Sequence, residues 1–134
     1  MEKPRYTSLE EIMFFDTDIG GIIHNLAYLR MIEANRTKLA MLMGMDLKGM
    51  ANGGRFPVLL KAEVEYKKPG TLGDTIRIEG KVTEVGKVKF WCEFAVYRES
   101  DEALLVECKQ SLALAQFPEG RPIRLPKEWI DHWG

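Results

Sequence analysis

The chain contains little of what several classes of protein require. Its 134 residues include two cysteines and two histidines, and the formal net charge is −1. Cys92 and Cys108 lack the C-x-x-C spacing of a metal or redox pair, so we expect two buried free thiols and no metal site. The near-neutral charge argues against a nucleic-acid partner, because a broad phosphate-binding surface is basic. A net charge near zero is still compatible with a small basic patch that binds one nucleotide ligand.

Long apolar runs are also missing. No stretch approaches the ~20 apolar residues that a membrane-spanning helix needs, and the first residues do not form a signal-peptide pattern. With 46% apolar and 29% charged residues, the composition is that of an ordinary globular protein. We therefore expect one domain over residues 1–134, in a cytoplasmic, reducing setting and without a membrane span.

Hydrophobic periodicity predicts the order of the elements. A long helix is predicted over residues 26–43, with a glycine cap at Gly44. The apolar run 12–15 is expected to end a first strand, and residues 46–55 to form a loop. Four later stretches alternate with a period of two and predict strands: 56–67, 75–85, 88–98 and 103–117. The tail, 118–134, is expected to hold one short helix.

Short turns join the four later strands, which predicts an antiparallel meander. One strand, one long helix and four further strands make an α+β protein, in which a single sheet curls around the helix. Such a sheet leaves an edge strand exposed, and edge-to-edge pairing of two copies would cover it. We therefore expect a homodimer.

An acidic turn with two glycines lies between the first strand and the helix. Asp16 and Asp18 precede Gly20-Gly21, and Asn25 is a candidate cap at the helix start. A calcium loop is excluded because the fifth and twelfth positions, counted from Asp16, are glycine and alanine. The first motif of haloacid-dehalogenase-type phosphatases looks similar, but those enzymes need a parallel sheet. A structural role at the positive end of the helix dipole stays open for Asp16.

The same turn can support acyl-group chemistry. The first amides of the helix, near Asn25, are unpaired donors that can polarise a carbonyl oxygen. Asp18 can then attack that carbonyl or activate a water molecule. A Ser-His-Asp set is unavailable, because His24 and His132 are the only histidines and no G-x-S-x-G occurs. A thioester suits a carboxylate attacker, since its carbonyl is more electrophilic than an ester's and thiolate leaves well.

Residues 16–36 read DTDIGGIIHNLAYLRMIEANR, and they resemble the turn-and-helix signature of hotdog-fold acyl-CoA thioesterases. That group includes 4-hydroxybenzoyl-CoA thioesterase and the Tol-Pal-associated thioesterase. Val64-Glu65-Tyr66, Gly73-Asp74 and residues 121–126 resemble the second half of the family. The resemblance implies a five-stranded antiparallel sheet wrapped around one long central helix, dimers with a continuous sheet and often homotetramers. It also implies an acyl-CoA substrate, with CoA as part of the substrate and no separate cofactor.

The resemblance implies roles for individual residues as well. The catalytic carboxylate falls on Asp18 and the carbonyl-polarising amide on Asn25. The positions that it implies for substrate or CoA binding are Gly21, Tyr28, Lys87 and Lys89. The two lysines alternate to the same face of a strand, as a phosphate contact requires, although two solvated lysines would show the same pattern.

Two features leave alternatives open. His24 departs from the family pattern, and it is a candidate for acid–base catalysis, for capping the helix or for facing the substrate. Methionines near the helix end either fill the core or line an adaptable acyl pocket: Met41, Met43, Met45 and Met50.

The predicted function is hydrolysis of an acyl or aroyl thioester to free acid and CoA. The alternative is a hotdog module that binds acyl-CoA or a partner protein without turnover. A dehydratase of the same fold is disfavoured, because the His-centred, proline-rich motif that is typical of such enzymes is absent.

Overall fold

The computed structural model describes the backbone of residues 1–134 and all side chains except those of Ala51 and Asn52. Its central element is helix α1, Asn25–Leu42. The side chains that α1 buries share one face: Ala27, Tyr28, Met31, Ile32, Asn35 and Leu39. Gly44 follows the helix with a φ of 91°, which confirms the predicted glycine cap.

One antiparallel sheet wraps around α1. Its strands are β1 (Arg5–Glu11), β2 (Arg55–Tyr66), β3 (Thr75–Val85), β4 (Lys89–Arg98), β5 (Ala103–Gln116) and β6 (Arg121–Ile123). The order across the sheet is β1-β3-β4-β5-β2, and β6 pairs with β5. The sheet therefore has six strands where five were expected, and the additional strand covers only three residues.

The predicted four-strand meander is wrong for β2. Strands β3, β4 and β5 are consecutive neighbours, but β2 pairs with β5, with Val64 opposite Cys108. The connection 67–74 passes across the end of the sheet from β2 to β3. Eight extended residues reach about 26 Å, which is enough to pass two intervening strands at ~4.8 Å spacing. As a result, β2 is left as an edge strand.

The first strand lies earlier than predicted. It ends at Glu11, and the apolar run 12–15 leaves the sheet as the exposed Phe14 and Phe15 begin a 3₁₀ turn. Two inward positions of β1, Ser8 and Glu10, are polar because they meet polar side chains of α1. For example, Asn35 Nδ2 donates to Ser8 Oγ at 2.8 Å. Hydrophobic alternation is absent from such a strand, so the apolar run was mistaken for its end.

A short helix replaces the predicted loop at 46–55. Helix α2 spans Leu47–Gly53, and the carboxylate of Asp46 caps it by accepting from the Lys48 amide at 3.2 Å. Glycine is only ~1 kcal/mol less favourable than alanine inside a helix, so a capped turn tolerates the glycines that predicted a loop.

The tail forms helix α3, Lys127–Trp133, which confirms the expected terminal helix. The indole N–H of the buried Trp129 donates to the Met43 carbonyl at 2.9 Å. This bond satisfies one of the free carbonyls at the end of α1, so α3 acts as a C-terminal cap for the central helix.

The core lies between α1 and the concave face of the sheet. Its fully buried side chains include Ile76, Ile78, Phe94, Val96, Leu105 and Leu112. Cys92 and Cys108 belong to the same cluster as free thiols, as predicted. In the part of the chain that the structure describes, no helix is long and apolar enough to cross a membrane.

Candidate active site

The acidic turn is a tight hairpin. The His24 amide donates to the Asp16 carbonyl at 3.0 Å. The Asp18 amide donates to the Ile22 carbonyl, also at 3.0 Å, and the Gly21 amide closes the tip onto the Asp18 carbonyl at 3.1 Å. The hairpin therefore holds Asp18 at its tip and delivers the chain directly into α1.

Glycine is required at this tip. Gly20 and Gly21 have φ angles of 99° and 75°, in the left-handed region that other residues rarely adopt. This confirms the predicted turn. The Gly21 carbonyl also accepts from the Leu72 amide at 2.8 Å, which shows a structural contact for a residue proposed to bind substrate.

The two acids of the turn lie in different environments. Asp16 is 3% exposed, its Oδ2 accepts from the Met13 amide at 3.0 Å, and its Oδ1 lies 3.9 Å from an Arg30 nitrogen. Asp18 is exposed, and its carboxylate makes no hydrogen bond or ion pair with any residue that the structure describes. Asp16 therefore supports the hairpin, whereas the Asp18 carboxylate is available for chemistry.

The helix begins with a histidine cap. His24 is the N-cap residue, and its Nδ1 accepts from the Ala27 amide at 3.1 Å. Its Nε2 lies 3.2 Å from the Phe15 carbonyl, to which it donates in the same tautomer. Asn25 is instead the first helical residue, so its predicted capping role is wrong. Because both ring nitrogens of His24 are engaged, the geometry favours capping over acid–base work.

The cap leaves the first helical amides open. The N–H groups of Asn25 and Leu26 have no acceptor among the residues described. A cleft of about 280 Å³ begins at this point. It is lined by Ile23, Asn25, Tyr28, Tyr66, Lys67, Lys68 and Pro69. Asp18 is not part of that lining, so a single chain leaves its carboxylate facing solvent.

Tyr28 is buried beside this cleft. Its hydroxyl oxygen accepts from the Gly70 amide at 2.9 Å, and its ring packs against Tyr66 with centroids 6.0 Å apart. Burial raises the pKa of Tyr28 above its usual value. The hydroxyl thus has a structural partner within the chain.

The two lysines proposed for CoA lie far from Asp18. The hairpin of Asp18 contacts the chain just before β3, whereas Lys87 and Lys89 follow the other end of that strand. Eleven residues of strand span roughly 33 Å, so the structure does not bring these lysines to Asp18 of the same chain.

A family model for the thioesterase-like superfamily matches residues 13–134. The chain belongs to the thioesterase-like superfamily. A putative esterase of Aquifex aeolicus is 27% identical over 120 residues, which cover 90% of this chain and 91% of that protein. A 1,4-dihydroxy-2-naphthoyl-CoA hydrolase of Thermosynechococcus vestitus is 26% identical over 117 residues, covering 86% and 79%.

Solved structures show the same architecture. A crystal structure of a 4-hydroxybenzoyl CoA thioesterase mutant, complexed with 4-hydroxybenzoyl CoA, aligns with a TM-score of 0.87 at 18% identity. The alignment covers 98% of this chain and 99% of that one. The hotdog fold is therefore confirmed. Sequence relatives named CoA hydrolase and acyl-CoA thioesterase support a thioester hydrolase.

The thioesterase also has an apolar cavity at the far end of α1. It measures about 230 Å³ and lies between α1, α2 and the sheet. Three of the four methionines near the helix end line it: Met43, Met45 and Met50. Met41 is exposed instead. Arg36, on the rim, is eleven helical residues from Asn25, or about 17 Å, so the cavity is remote from Asp18 of the same chain.

Arg98 supports the hairpin from outside, and no pattern in the sequence indicates this role. Arg98 donates to the Pro69 carbonyl at 2.8 Å and to Asp74 at 3.2 Å, and both belong to the segment against which the hairpin packs. Arg98 lies 24 residues or more from these partners, so no local pattern could have identified it. Among the side chains described, no three His, Cys, Asp or Glu come together as a metal site requires.

Proposed function

We propose that this thioester hydrolase acts on acyl-CoA, with Asp18 as nucleophile or general base and the Asn25 amide as oxyanion donor. One observation carries the proposal. The hairpin presents a carboxylate without a partner, next to the start of a helix whose first amide lacks an acceptor. The relative named for 1,4-dihydroxy-2-naphthoyl-CoA supports a CoA thioester, aromatic acyl groups included.

Two routes use this arrangement. In the first, an Asp18 oxygen attacks the carbonyl carbon, the C–S bond breaks, and CoA leaves as thiolate; water then hydrolyses the mixed anhydride to acid and free Asp18. In the second, Asp18 takes a proton from a water whose oxygen attacks the carbonyl, and the proton passes to the leaving sulfur. In both, the Asn25 amide stabilises the negative oxygen of the tetrahedral intermediate.

We also propose that a second copy completes the site. Edge strand β2 has unpaired backbone groups along one side, which another β2 can satisfy. Apolar side chains that a single chain leaves exposed surround the hairpin: Phe15, Ile19, Ile22 and Leu26. Exposed apolar groups clustered at one place mark an interaction surface. The homotetramer that the resemblance implies stays a prediction.

Pairing through β2 would reverse the two ends of the sheet. A two-fold axis between antiparallel β2 strands places the Asp18 end of one sheet beside the Lys87 end of the other. The β3–β4 turn, with Lys87 and Lys89, and the methionine-lined cavity would then lie at the same end as Asp18 of the second copy. This arrangement gives the lysines a route to the CoA phosphates and the cavity a route to the acyl group, neither of which exists within one chain.

The central test replaces Asp18 with asparagine. Asp18→Asn keeps the size of the side chain and removes the nucleophile or base, so we expect kcat for acyl-CoA hydrolysis to fall by about 10²–10⁴-fold. Release of CoA thiol is measured over a panel of aliphatic and aromatic CoA thioesters. Asp131→Asn is the matched control, because Asp131 is an exposed carboxylate on α3, far from the hairpin. It should retain wild-type rates.

Full activity of Asp18→Asn would exclude the proposed role. Both variants should unfold at the wild-type temperature, since neither carboxylate is buried. The second copy is tested separately by the mass in solution. A monomer of 15.3 kDa that still hydrolyses acyl-CoA would contradict a site completed by a partner.

A further inference from the structure

The segment 69–74, here called the clamp loop, lies between β2 and β3 in the chain and packs beside the hairpin. The Ile23 amide donates to the Gly70 carbonyl at 3.0 Å. The Leu72 amide donates to the Gly21 carbonyl at 2.8 Å. The hairpin thus makes backbone hydrogen bonds with a segment that lies about fifty residues further along the chain.

Two side chains from other elements hold the clamp loop. Tyr28, on α1, takes the Gly70 amide on its hydroxyl at 2.9 Å, and both groups are buried. Arg98, at the end of β4, donates from Nη2 to the Pro69 carbonyl at 2.8 Å and from Nε to Asp74 Oδ2 at 3.2 Å. Arg98 therefore ties the first and last residues of the loop together.

The contact between the clamp loop and the hairpin has no spare room. A Cβ added at Gly70 would lie 2.6 Å from Ile23 Cδ1 and 3.1 Å from the Tyr28 hydroxyl. Within the loop, Asp74 Oδ2 also accepts from the Thr71 amide at 2.9 Å. A shift of the loop would therefore be passed directly to the hairpin, because packed groups at contact distance move together.

We propose that Tyr28 and Arg98 are positioning residues for thioester hydrolysis, which act through the clamp loop to fix the hairpin and so aim Asp18 at the first amides of α1. The inference rests on the proposed function of Asp18. The Asp18 carboxylate makes no hydrogen bond or ion pair in the described chain, so its position depends on the backbone of the hairpin. Neither Tyr28 nor Arg98 needs to touch the substrate for this role.

The first experiment compares two tyrosine substitutions. Tyr28→Phe removes one oxygen and leaves the buried Gly70 amide without an acceptor, so the clamp loop loosens. Because a displacement of ~1 Å in a reacting group lowers rates by up to 10²-fold, we expect kcat to fall by about 10- to 100-fold with KM within twofold. Tyr97→Phe is the matched control: Tyr97 lies on the outer face of β4, and its ring keeps the contact with Arg77.

The second readout does not depend on activity. In Tyr28→Phe, the amides of Ile23 and Leu72 should exchange hydrogen at least tenfold faster, while amides in the middle of α1 keep their wild-type rates. Ile78→Val provides a variant of the buried core, about 13 Å along β3 from the end of the loop, that is destabilised without loosening the clamp. It should lose thermal stability but keep both kcat and the slow exchange of these two amides.

Substitutions of Arg98 provide an independent test. Arg98→Met should reproduce the fall in kcat and the faster exchange, and Arg98→Lys should recover part of both, because lysine keeps one cationic donor for Asp74 or Pro69. The proposal is overturned if kcat and amide exchange do not change together in Tyr28→Phe and Arg98→Met. If the wild-type chain hydrolyses no CoA thioester, the proposed function fails, and amide exchange still decides whether Tyr28 and Arg98 hold the hairpin.

Discussion

Gly80 faces α1 from the inner side of β3, where Asn35 of the helix packs against the strand. A Cβ added there would lie 2.1 Å from Asn35 Oδ1 and 2.9 Å from two ring carbons of Phe94. Real Cβ atoms do not approach other atoms so closely, so Gly80→Ala must displace one of these side chains. Asn35 is 1% exposed and Phe94 is 2% exposed, so neither can swing into solvent.

The size of the effect follows from the bonds of Asn35. Its Nδ2 carries two hydrogens and shares them among three acceptors: the Tyr6 carbonyl at 3.2 Å, Ser8 Oγ at 2.8 Å and the Ile78 carbonyl at 3.2 Å. Two hydrogen bonds contribute about 2 kcal/mol net, at about 1 kcal/mol each, and overpacking a core adds about 1–3 kcal/mol. We therefore expect Gly80→Ala to lower the free energy of unfolding by about 3–5 kcal/mol, which is a drop in Tm of roughly 10 °C or more.

Urea unfolding followed by tryptophan fluorescence measures this change. Gly53→Ala is the control, since an added Cβ at Gly53 meets nothing within 4 Å and alanine favours a helix. It should be neutral or stabilising. A Gly80→Ala chain within about 1 kcal/mol of wild type would refute the reasoning. So would strictly additive losses in the Asn35→Ala/Gly80→Ala chain, because removal of the Asn35 amide should relieve the clash.

Two further predictions concern Lys87 and Lys89, at the turn between β3 and β4, and the buried thiol of Cys92. Replacing Lys87 and Lys89 with alanine should raise KM for acyl-CoA several-fold and leave kcat unchanged, because the proposed contacts of both lysines are with the CoA end of the substrate. An unchanged KM would mean that the lysines are only solvated. Burial raises the pKa of Cys92 to about 12, from about 9 in an exposed thiol. The buried thiol stays protonated where the unfolded chain would ionise, so its contribution to stability is complete below pH 9 and is lost as the pH rises toward 12. Stability should therefore fall more steeply between pH 9 and pH 11 in the wild type than in Cys92→Ala, and equal slopes would contradict this assignment.

The strands of the central meander could be predicted because each has one face in the core and one in solvent. In β3, residues from Ile76 to Val82 alternate between buried and exposed positions, and the predicted bounds match those of the structure. The glycine turn was also predictable, because the left-handed backbone at Gly20 and Gly21 is a local demand that few other residues meet.

The predictions failed where the decisive partner lies far away. The inner face of β1 accommodates the polar Ser8 because Asn35 donates a hydrogen bond to it, and nothing in the sequence of β1 shows that. The pairing of β2 with β5 joins strands about forty to sixty residues apart, past two strands that follow β2 directly in the chain. His24 rather than Asn25 caps α1, because its ring can reach the Phe15 carbonyl at the same time.

Local chemistry determined much of the candidate site: an acidic pair, two glycines and a helix start follow one another within ten residues, and short-range geometry brings them together. Tertiary structure decided which acid is buried, which tyrosine oxygen holds the clamp loop, and that Lys87 and Lys89 lie at the opposite end of the sheet from Asp18. These features depend on contacts between residues that are distant in the chain. Such contacts arise only when the sheet closes around α1, and they leave no periodic trace in the order of the residues.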